Sequence, residues 1–155
     1  MSSSGSRVEA RLKELGLTLP PPKPPVANYL STKQSGDLLF VSGKVSALRG
    51  EVGSEIDTAH AKLAARDTML DLLAIIKHDI GDLDRIVSVE RLHGFVRSAP
   101  TFIAQPEVLD GASDLVVELL GPPGRHARTA TGVNQLPFGA AVQLDMLLRV
   151  IEPSE

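Results

Sequence analysis

Residues 141–150 read AVQLDMLLRV, and apolar and polar residues alternate along most of this run. A period of two sends successive side chains to opposite faces of a β-strand. One face would carry Val142, Leu144, Met146, Leu148 and Val150, and the other Gln143, Asp145 and Arg149. The run therefore predicts a strand over Ala141–Val150 with one packed face and one face in polar surroundings.

The segments before this strand alternate between strand and helix patterns. Across the turn Leu136–Gly139, a strand is predicted at Ala127–Val133. A helix is predicted to begin near Pro106, because proline is tolerated in a first helical turn, and to end at Gly121–Gly124. Its buried stripe would be Val108, Ala112, Leu115, Val116 and Leu119. The run Ile86–Val96 is rich in β-branched residues, which favours a central strand.

A long helix is predicted from about Glu55 to His78. Ser54, followed three residues later by Asp57, resembles a capping box, and Gly81 lies where a left-handed residue commonly ends a helix. Apolar residues recur between these limits with helical spacing, at Ile56, Ala59, Leu63, Leu70, Leu73 and Ala74.

The segment before this helix predicts a hairpin. Its two strands are Tyr29–Thr32 and Leu38–Val41, around the turn residues Ser35–Asp37, and a short third strand is expected from Lys44. The element order ββ(β)αβαββ predicts an α+β fold: a mixed sheet of about six strands with both helices on one face.

The N-terminal region has a different composition from the rest. Arg7–Leu15 predicts a short amphipathic helix that stops at Gly16, and the proline-rich Leu19–Pro25 predicts an extended strap. We therefore divide the chain into residues 1–25, a helix and strap, and residues 26–155, a single domain. A length of 155 residues with 43% apolar residues is enough for one core.

Composition excludes several classes of protein. The chain has no cysteine, which rules out disulfides and thiolate zinc sites. A net charge of -3 and five aromatic rings, four Phe and one Tyr, argue against nucleic acid as a partner. No apolar run reaches the length of a signal peptide or the roughly 20 residues of a membrane span. We expect a cytoplasmic protein that does not bind membranes.

Familiar catalytic motifs are absent: there is no Walker loop, GxGxxG, HExxH or GxSxG. The four histidines, at positions 60, 78, 93 and 126, lack metal-ligand spacing, so no metal site is predicted. The basic, glycine-rich Gly124–Gly132 could attract an anion or be a solvated loop. Phe40–Gly43 could let a ligand approach the backbone or be a simple turn.

Five segments together resemble one known family. They are Tyr29, Leu38–Lys44 (LLFVSGK), the long helix, Gly94–Ser98 (GFVRS) and His126–Thr129 (HART). In order and spacing, over roughly Ala27–Val150, they resemble the Rid/YjgF family, in a branch with an N-terminal helix and proline strap. The resemblance implies a chorismate-mutase-like fold and a homotrimer that binds a small carboxylate at subunit interfaces, with no cofactor.

The resemblance also implies an activity, the hydrolytic deamination of small enamine or imine carboxylates such as 2-aminoacrylate. The family arginine that binds the substrate carboxylate corresponds to Arg128. A glutamate that helps to hold water corresponds to Gln143, whose amide can position water but cannot accept its proton. Asp145, two residues on, could substitute or could be a solvated carboxylate. Arg128, Gln143 and Asp145 are thus the candidate catalytic residues.

The family's other ligand-facing positions supply candidate substrate-binding residues. Tyr29 corresponds to a tyrosine near the cleft, although it could equally be a packing ring at a strand edge. Ser42 and Gly43 correspond to the group that faces the ligand at the end of a strand. A polar position at a helix start falls within Asp110–Ser113, which makes Asp110 and Ser113 further candidates.

Two other functions remain open. A non-catalytic trimer that binds a small carboxylate or related metabolite is favoured by Gln143. An endoribonuclease or translation inhibitor, as family names suggest, would depend on Arg125, His126 and Arg128, and is disfavoured by the acidic balance and the scarcity of aromatic rings.

Overall fold

The computed structural model describes residues 6–152; residues 1–5 and 153–155, the outer ends of the two predicted segments, lie outside it. Five strands form one sheet in the order β1-β2-β5-β3-β4. Only the β3–β4 pair is parallel. The strands are β1 (Thr32–Ser35), β2 (Leu38–Val45), β3 (Ile86–Arg97), β4 (Ala127–Val133) and β5 (Val142–Val150). The predicted mixed α+β sheet is confirmed.

Within residues 6–152, three α-helices accompany the sheet: α1 (Arg7–Glu14), α2 (Thr58–Ile80) and α3 (Gln105–Leu120). Helix α2 packs on β2 and β5, helix α3 packs on β3 and β4, and the two helices pack on each other. Burial alternates strictly along β5, and the buried residues belong to the common core. Both helices therefore cover one face of the sheet, as predicted, and the described chain leaves the opposite face uncovered.

The number and bounds of the N-terminal strands differ from the prediction, which gave about six strands. The strand expected from Lys44 does not exist separately, because β2 runs on through a β-bulge and ends at Val45. The first strand begins at Thr32 rather than Tyr29. Gly43 looked like the end of a strand in the sequence, whereas in the structure it lies inside one. The predicted hairpin is confirmed, with Gly36 at φ 61° in its turn.

Helix α2 begins later than predicted. Its N-cap is Asp57, whose carboxylate accepts the backbone N–H of His60 at 2.8 Å, a bond that lowers the pKa of Asp57. Ser54 does not cap the helix, because the preceding residues form a turn that is closed by the bridge between Val52 and Ile56. The helix also ends slightly later than predicted, at Ile80 rather than His78, and Gly81 caps it at φ 93°.

Close packing between the helices and the sheet depends on two glycines. A Cβ atom on Gly94 of β3 would lie 1.8 Å from Cδ1 of Leu109 on α3. A Cβ atom on Gly111 of α3 would lie 2.1 Å from the carbonyl oxygen of Lys62 on α2. These contacts set how near α3 comes to the sheet and to α2, and so fix where α3 carries its polar residues.

The N-terminal helix and strap pack onto this domain. Val8 and Leu12 of α1 belong to the common core. The backbone N–H groups of Arg7 and Val8 donate to the Asp84 carboxylate at 2.7 Å and 3.0 Å, which caps the helix. In the strap, Lys23 lies 3.7 Å from Asp71 of α2. Burial raises the pKa of Asp71 and outweighs the opposing effect of Lys23.

Among residues 6–152, no helix is both long enough and apolar enough to cross a bilayer.

Candidate active site

A groove of about 470 Å³ lies on the uncovered face of the sheet. Strands β2, β5 and β3 supply its walls, and four of the predicted site residues line it together: Ser42, Gly43, Gln143 and Asp145. Its volume falls within the usual range of small-ligand sites, about 300–1,000 Å³. The structure therefore brings the two ends of the predicted site, residues 42–43 and residues 143–145, into one place.

The groove is built around the β-bulge in β2. Val41 pairs with Met146 and Lys44 with Leu144, so Ser42 and Gly43 together lie opposite Asp145. An extra residue bends its strand and turns neighbouring side chains in new directions, and such bulges are common beside active sites. Gly43 also makes room for Gln143, whose side-chain Nε2 would lie 3.3 Å from a Cβ atom added there.

Ser42 is anchored to the segment that precedes β1. Its backbone N–H donates to the carbonyl oxygen of Ser31 at 2.9 Å, and its hydroxyl donates to that of Leu30 at 2.6 Å. The hydroxyl proton is thus already used in a hydrogen bond, and the hydroxyl oxygen can still accept one. Ser42 can contribute to the groove as an acceptor and as part of the bulge.

Arg128 lies elsewhere, at the edge of the sheet. Its guanidinium donates from Nη1 to Asp110 at 2.8 Å and to the hydroxyl of Ser113 at 3.1 Å, and from Nη2 to the carbonyl of Pro106 at 3.4 Å. Its side chain is 22% exposed. Asp110 and Ser113, two further predicted site residues, therefore hold Arg128 in place on α3. Within residues 6–152, its Nε–H donates to no acceptor.

His126 extends this cluster. Its Nδ1 lies 2.7 Å from the carbonyl oxygen of Gly124, which can only accept, so Nδ1 carries a proton. Its Nε2 lies 2.9 Å from the hydroxyl of Ser113. With Nε2 accepting from Ser113, the serine oxygen is free to accept from Arg128. The contacts thus form a directed chain from the guanidinium to the backbone.

Arg128 and the groove are separated within one chain. In the sheet order, β5 and β3 stand between β2 and β4, so Ser42 and Arg128 are three strands apart. At about 4.8 Å per strand this is roughly 14 Å. Arg128 also pairs in register with Leu92, a fully buried residue on the helix-covered face. One small ligand cannot touch both parts of the predicted site in a single chain.

Tyr29 does not line the groove. It precedes β1, its backbone N–H donates to the carbonyl of Ala27 at 2.9 Å, and it is 39% exposed. Like Arg128, it lies outside the groove of its own chain.

Two residues that sequence reasoning passed over also line the groove: Arg91 and His93 of β3. His93 lies directly opposite Asp145 in the β3–β5 register, with Nδ1 3.0 Å from the carboxylate. Arg91 donates from Nε to Nε2 of His93 and from Nη2 to the hydroxyl of Thr129 at 2.7 Å. In the sequence, His93 has no metal-ligand spacing and no other recognisable pattern. Only the pairing of β3 with β5 reveals its partner.

Further along the uncovered face, an ion pair between Arg149 and Asp37 lies beyond the groove. The guanidinium of Arg149 donates to the carboxylate of Asp37, which raises the pKa of Arg149. Among the described residues, no group of three or more His, Asp or Glu is arranged to hold a metal ion.

Comparison with known proteins relates this chain and its fold to one family. The family described as "YjgF/chorismate mutase-like, putative endoribonuclease" matches residues 9–148. The chain is 40% identical over 154 residues to Protein TCP17 of Trypanosoma cruzi, covering 95% of this chain and 96% of that one.

Two crystal structures are similar over almost their whole length. A protein of unknown function from Agrobacterium tumefaciens is 43% identical, with a TM-score of 0.87 and coverage of 94% of this chain and 93% of the other. A Shewanella oneidensis protein described as a putative endoribonuclease is 29% identical, with a TM-score of 0.89 and coverage of 92% and 99%.

Proposed function

Because the chain belongs to the YjgF/chorismate-mutase-like family, we propose that it is a homotrimeric, cofactor-independent hydrolase that deaminates small imine or enamine carboxylates. The observation that carries the proposal is the groove that unites Ser42, Gly43, Gln143 and Asp145. A cavity of about 470 Å³ accommodates a three- or four-carbon acid together with a water molecule.

The substrate carboxylate would be bound by Arg128. A guanidinium stays charged at every working pH and can donate two parallel hydrogen bonds to a carboxylate. Asp110 and Ser113 occupy its Nη1 group and support its orientation, while the Nε–H side can pair with an anion. Arg128 is thus a fixed cation with donors left for a ligand.

The position of Arg128 favours a second chain. Within one chain Arg128 pairs with Leu92 on the helix-covered face, whereas the groove lies on the opposite face, so a shared ligand would lie between the β4 edge of one copy and the groove of its neighbour. The uncovered face favours such an assembly, because Phe40 is 48% exposed on it in the single chain. A closed ring of three copies would provide three equivalent clefts.

The chemistry needs a bound imine, a water molecule and a group that moves protons. Gln143 can hold the water with its amide but cannot take its proton. This feature also favours the second candidate, a trimer that binds small carboxylates without turning them over. A cytoplasmic location, where such reactive metabolites arise, stays part of the proposal.

The test supplies a dehydratase that generates 2-aminoacrylate and measures the rate of pyruvate release. We expect the wild type to accelerate release, and Arg128→Ala to lower kcat/KM about 100-fold, the effect of losing about 3 kcal/mol of charge-assisted hydrogen bonding. Arg125→Ala, which removes a neighbouring charge outside the cluster, is the matched control and should keep wild-type activity.

Two outcomes would overturn the enzyme proposal. One is no acceleration by the wild type, and the other is equal acceleration by the wild type and Arg128→Ala. If calorimetry then detects binding of 2-oxobutyrate or pyruvate to the inactive wild type, the non-catalytic binding function replaces it.

A further inference from the structure

We propose that His93, oriented by Asp145, is the catalytic residue that accepts and returns the proton during deamination. This inference rests on the proposed function and supplies the proton acceptor that Gln143 cannot provide. It also assigns a role to Arg91, whose guanidinium contacts the same imidazole.

The hydrogen bonds define the protonation of the ring. The Asp145 carboxylate can only accept, so the 3.0 Å contact places a proton on Nδ1 of His93. The Nε–H of Arg91 can only donate, so Nε2 carries a lone pair. His93 is therefore held as the tautomer whose Nε2 is a base, with a carboxylate behind it, as in other His–carboxylate pairs that act in proton transfer.

The position of His93 matches the task. It lies at the floor of the groove, beside Asp145, which faces the bulge formed by Ser42 and Gly43. Among residues 6–152, the charged or titratable side chains that line the groove with it are Arg91 and Asp145. A water held by Gln143, on the neighbouring position of β5, would lie above this floor, within the same cavity.

Arg91 controls whether Nε2 of His93 is free to accept a proton. The Nε–H of Arg91 donates to Nε2 of His93, and the Arg91 side chain is exposed. A substrate carboxylate in the groove attracts this guanidinium, which has further N–H donors to offer. Turning toward the anion frees Nε2 at the moment when substrate is present, so Arg91 acts as a positioning residue for His93.

The sequence starts from the iminium, which an enamine such as 2-aminoacrylate forms by taking one proton from solvent on its terminal carbon, and from there the proton balance closes with water alone. The water oxygen bonds to the iminium carbon, the π electrons move to nitrogen, and the water proton passes to Nε2 of His93, giving a carbinolamine. His93 returns this proton to the amine nitrogen. The C–N bond then breaks, ammonia leaves, and the protonated carbonyl transfers its proton to ammonia. The products are a keto acid and ammonium, and His93 is neutral again.

The experiment compares His93→Gln with His60→Gln in the 2-aminoacrylate assay, with the assembly state checked by sedimentation. His60 is the matched control because its Nδ1 lies 2.8 Å from Asp57, a second His–Asp pair remote from the groove. We expect His93→Gln to keep the trimer and its affinity for 2-oxobutyrate and to lose about 100-fold in kcat, in the range of general acid–base catalysis. His60→Gln should equal the wild type.

Imidazole rescue separates chemistry from structure. Added imidazole should restore turnover to His93→Ala, which a purely structural role would not allow. In the wild type, saturating 2-oxobutyrate should shift the Nε2 NMR signal of His93 and leave that of His60 unchanged, a measurement that needs no stable variant.

The inference is overturned if the wild type deaminates and trimeric His93→Gln retains more than about a tenth of its kcat, or if the His93 signal ignores the ligand. An inactive wild type overturns the proposed function itself, and the role of His93 falls with it. If Arg128→Ala loses activity and His93→Gln keeps it, the proposed function is supported and His93 is not the proton acceptor.

Discussion

Arg128 of β4 and Asp110 of α3 form a 2.8 Å ion pair that fixes a guanidinium at the edge of the sheet. Ser113, nearly one helical turn further along α3, accepts a second hydrogen bond from the same nitrogen. An arginine side chain held at two points loses little further conformational freedom when it binds an anion. The pair therefore orients Arg128 for the carboxylate that we propose it binds.

Replacing Asp110 with Asn should weaken substrate binding without changing the chemical step. The amide keeps one acceptor but removes the charge that orients Arg128, so we expect KM to rise about tenfold, which corresponds to about 1.4 kcal/mol, and kcat to change less than twofold. Steady-state kinetics of deamination provide the measurement. Asp114→Asn, on the same helix, is the control, and equal KM values for the two variants would contradict the role of Asp110.

Converting Gln143 to Glu restores the residue type that the family resemblance associates with this position. If His93 is the proton acceptor, the residue at position 143 only holds the water, and a glutamate oxygen can do this as well as the glutamine oxygen. We therefore expect kcat of Gln143→Glu to stay within about threefold of the wild type. A gain of tenfold or more would identify position 143 as the base and remove that role from His93.

Gly94 and Leu109 should show strong coupling in stability. Gly94→Ala puts a methyl group 1.8 Å from the present position of Leu109 Cδ1. We expect the free energy of unfolding to fall by about 2 kcal/mol, a typical cost of overpacking a core. Leu109→Ala frees the space, so the double variant should be less destabilised than the sum of the two single variants.

Denaturant unfolding of the four proteins in this cycle measures the coupling. Simple additivity would mean that the helix shifts to accommodate the methyl group and that Gly94 does not fix the position of α3.

Asp84 should make the attachment of α1 dependent on pH. Burial raises the pKa of Asp84, but the N–H groups of Val8 and Arg7, the Ser6 hydroxyl and the charge of Arg7 outweigh it, so the folded pKa lies below its ordinary value. A depressed pKa means that the stabilisation is present above the unfolded value, about 3.9, and is lost as pH falls through the folded value.

Asp84→Asn should therefore lower the free energy of unfolding at pH 7 by about 1 kcal/mol, the usual cost of losing a helix cap. The difference from the wild type should shrink as the pH drops below about 4. Chemical unfolding at a series of pH values tests this, with exposed Asp67→Asn as the control. A difference that persists at low pH would contradict the account.

Local patterns in the sequence predicted most of the fold. The alternation from Val142 to Val150 is a property of one strand, so it is readable without knowing the partners. The bulge at Ser42 and Gly43 was not readable, because it exists only relative to Met146 and Leu144 of β5. The sequence therefore suggested one strand too many.

The candidate site also contains residues that could be predicted from one strand and residues that depend on how strands pair. Gln143 and Asp145 are two residues apart on one strand, so their common face could be predicted. His93 meets Asp145 only through the β3–β5 register, which itself contains bulges at Ile86–Ser88 and Val89–Arg91. A slip of one residue would send His93 to the opposite face. No single-sequence pattern carries that information.

We propose that Arg128 and the groove that act on one substrate belong to different copies of the chain. Two variants test it together: Arg128→Ala, and Gly43→Val, which fills the groove beside Gln143. Each should be inactive alone. When the two are unfolded, mixed equally and refolded together, random trimers should contain intact sites in about a quarter of the clefts and recover about a quarter of the wild-type rate. Mixtures that assemble but stay inactive would contradict the claim.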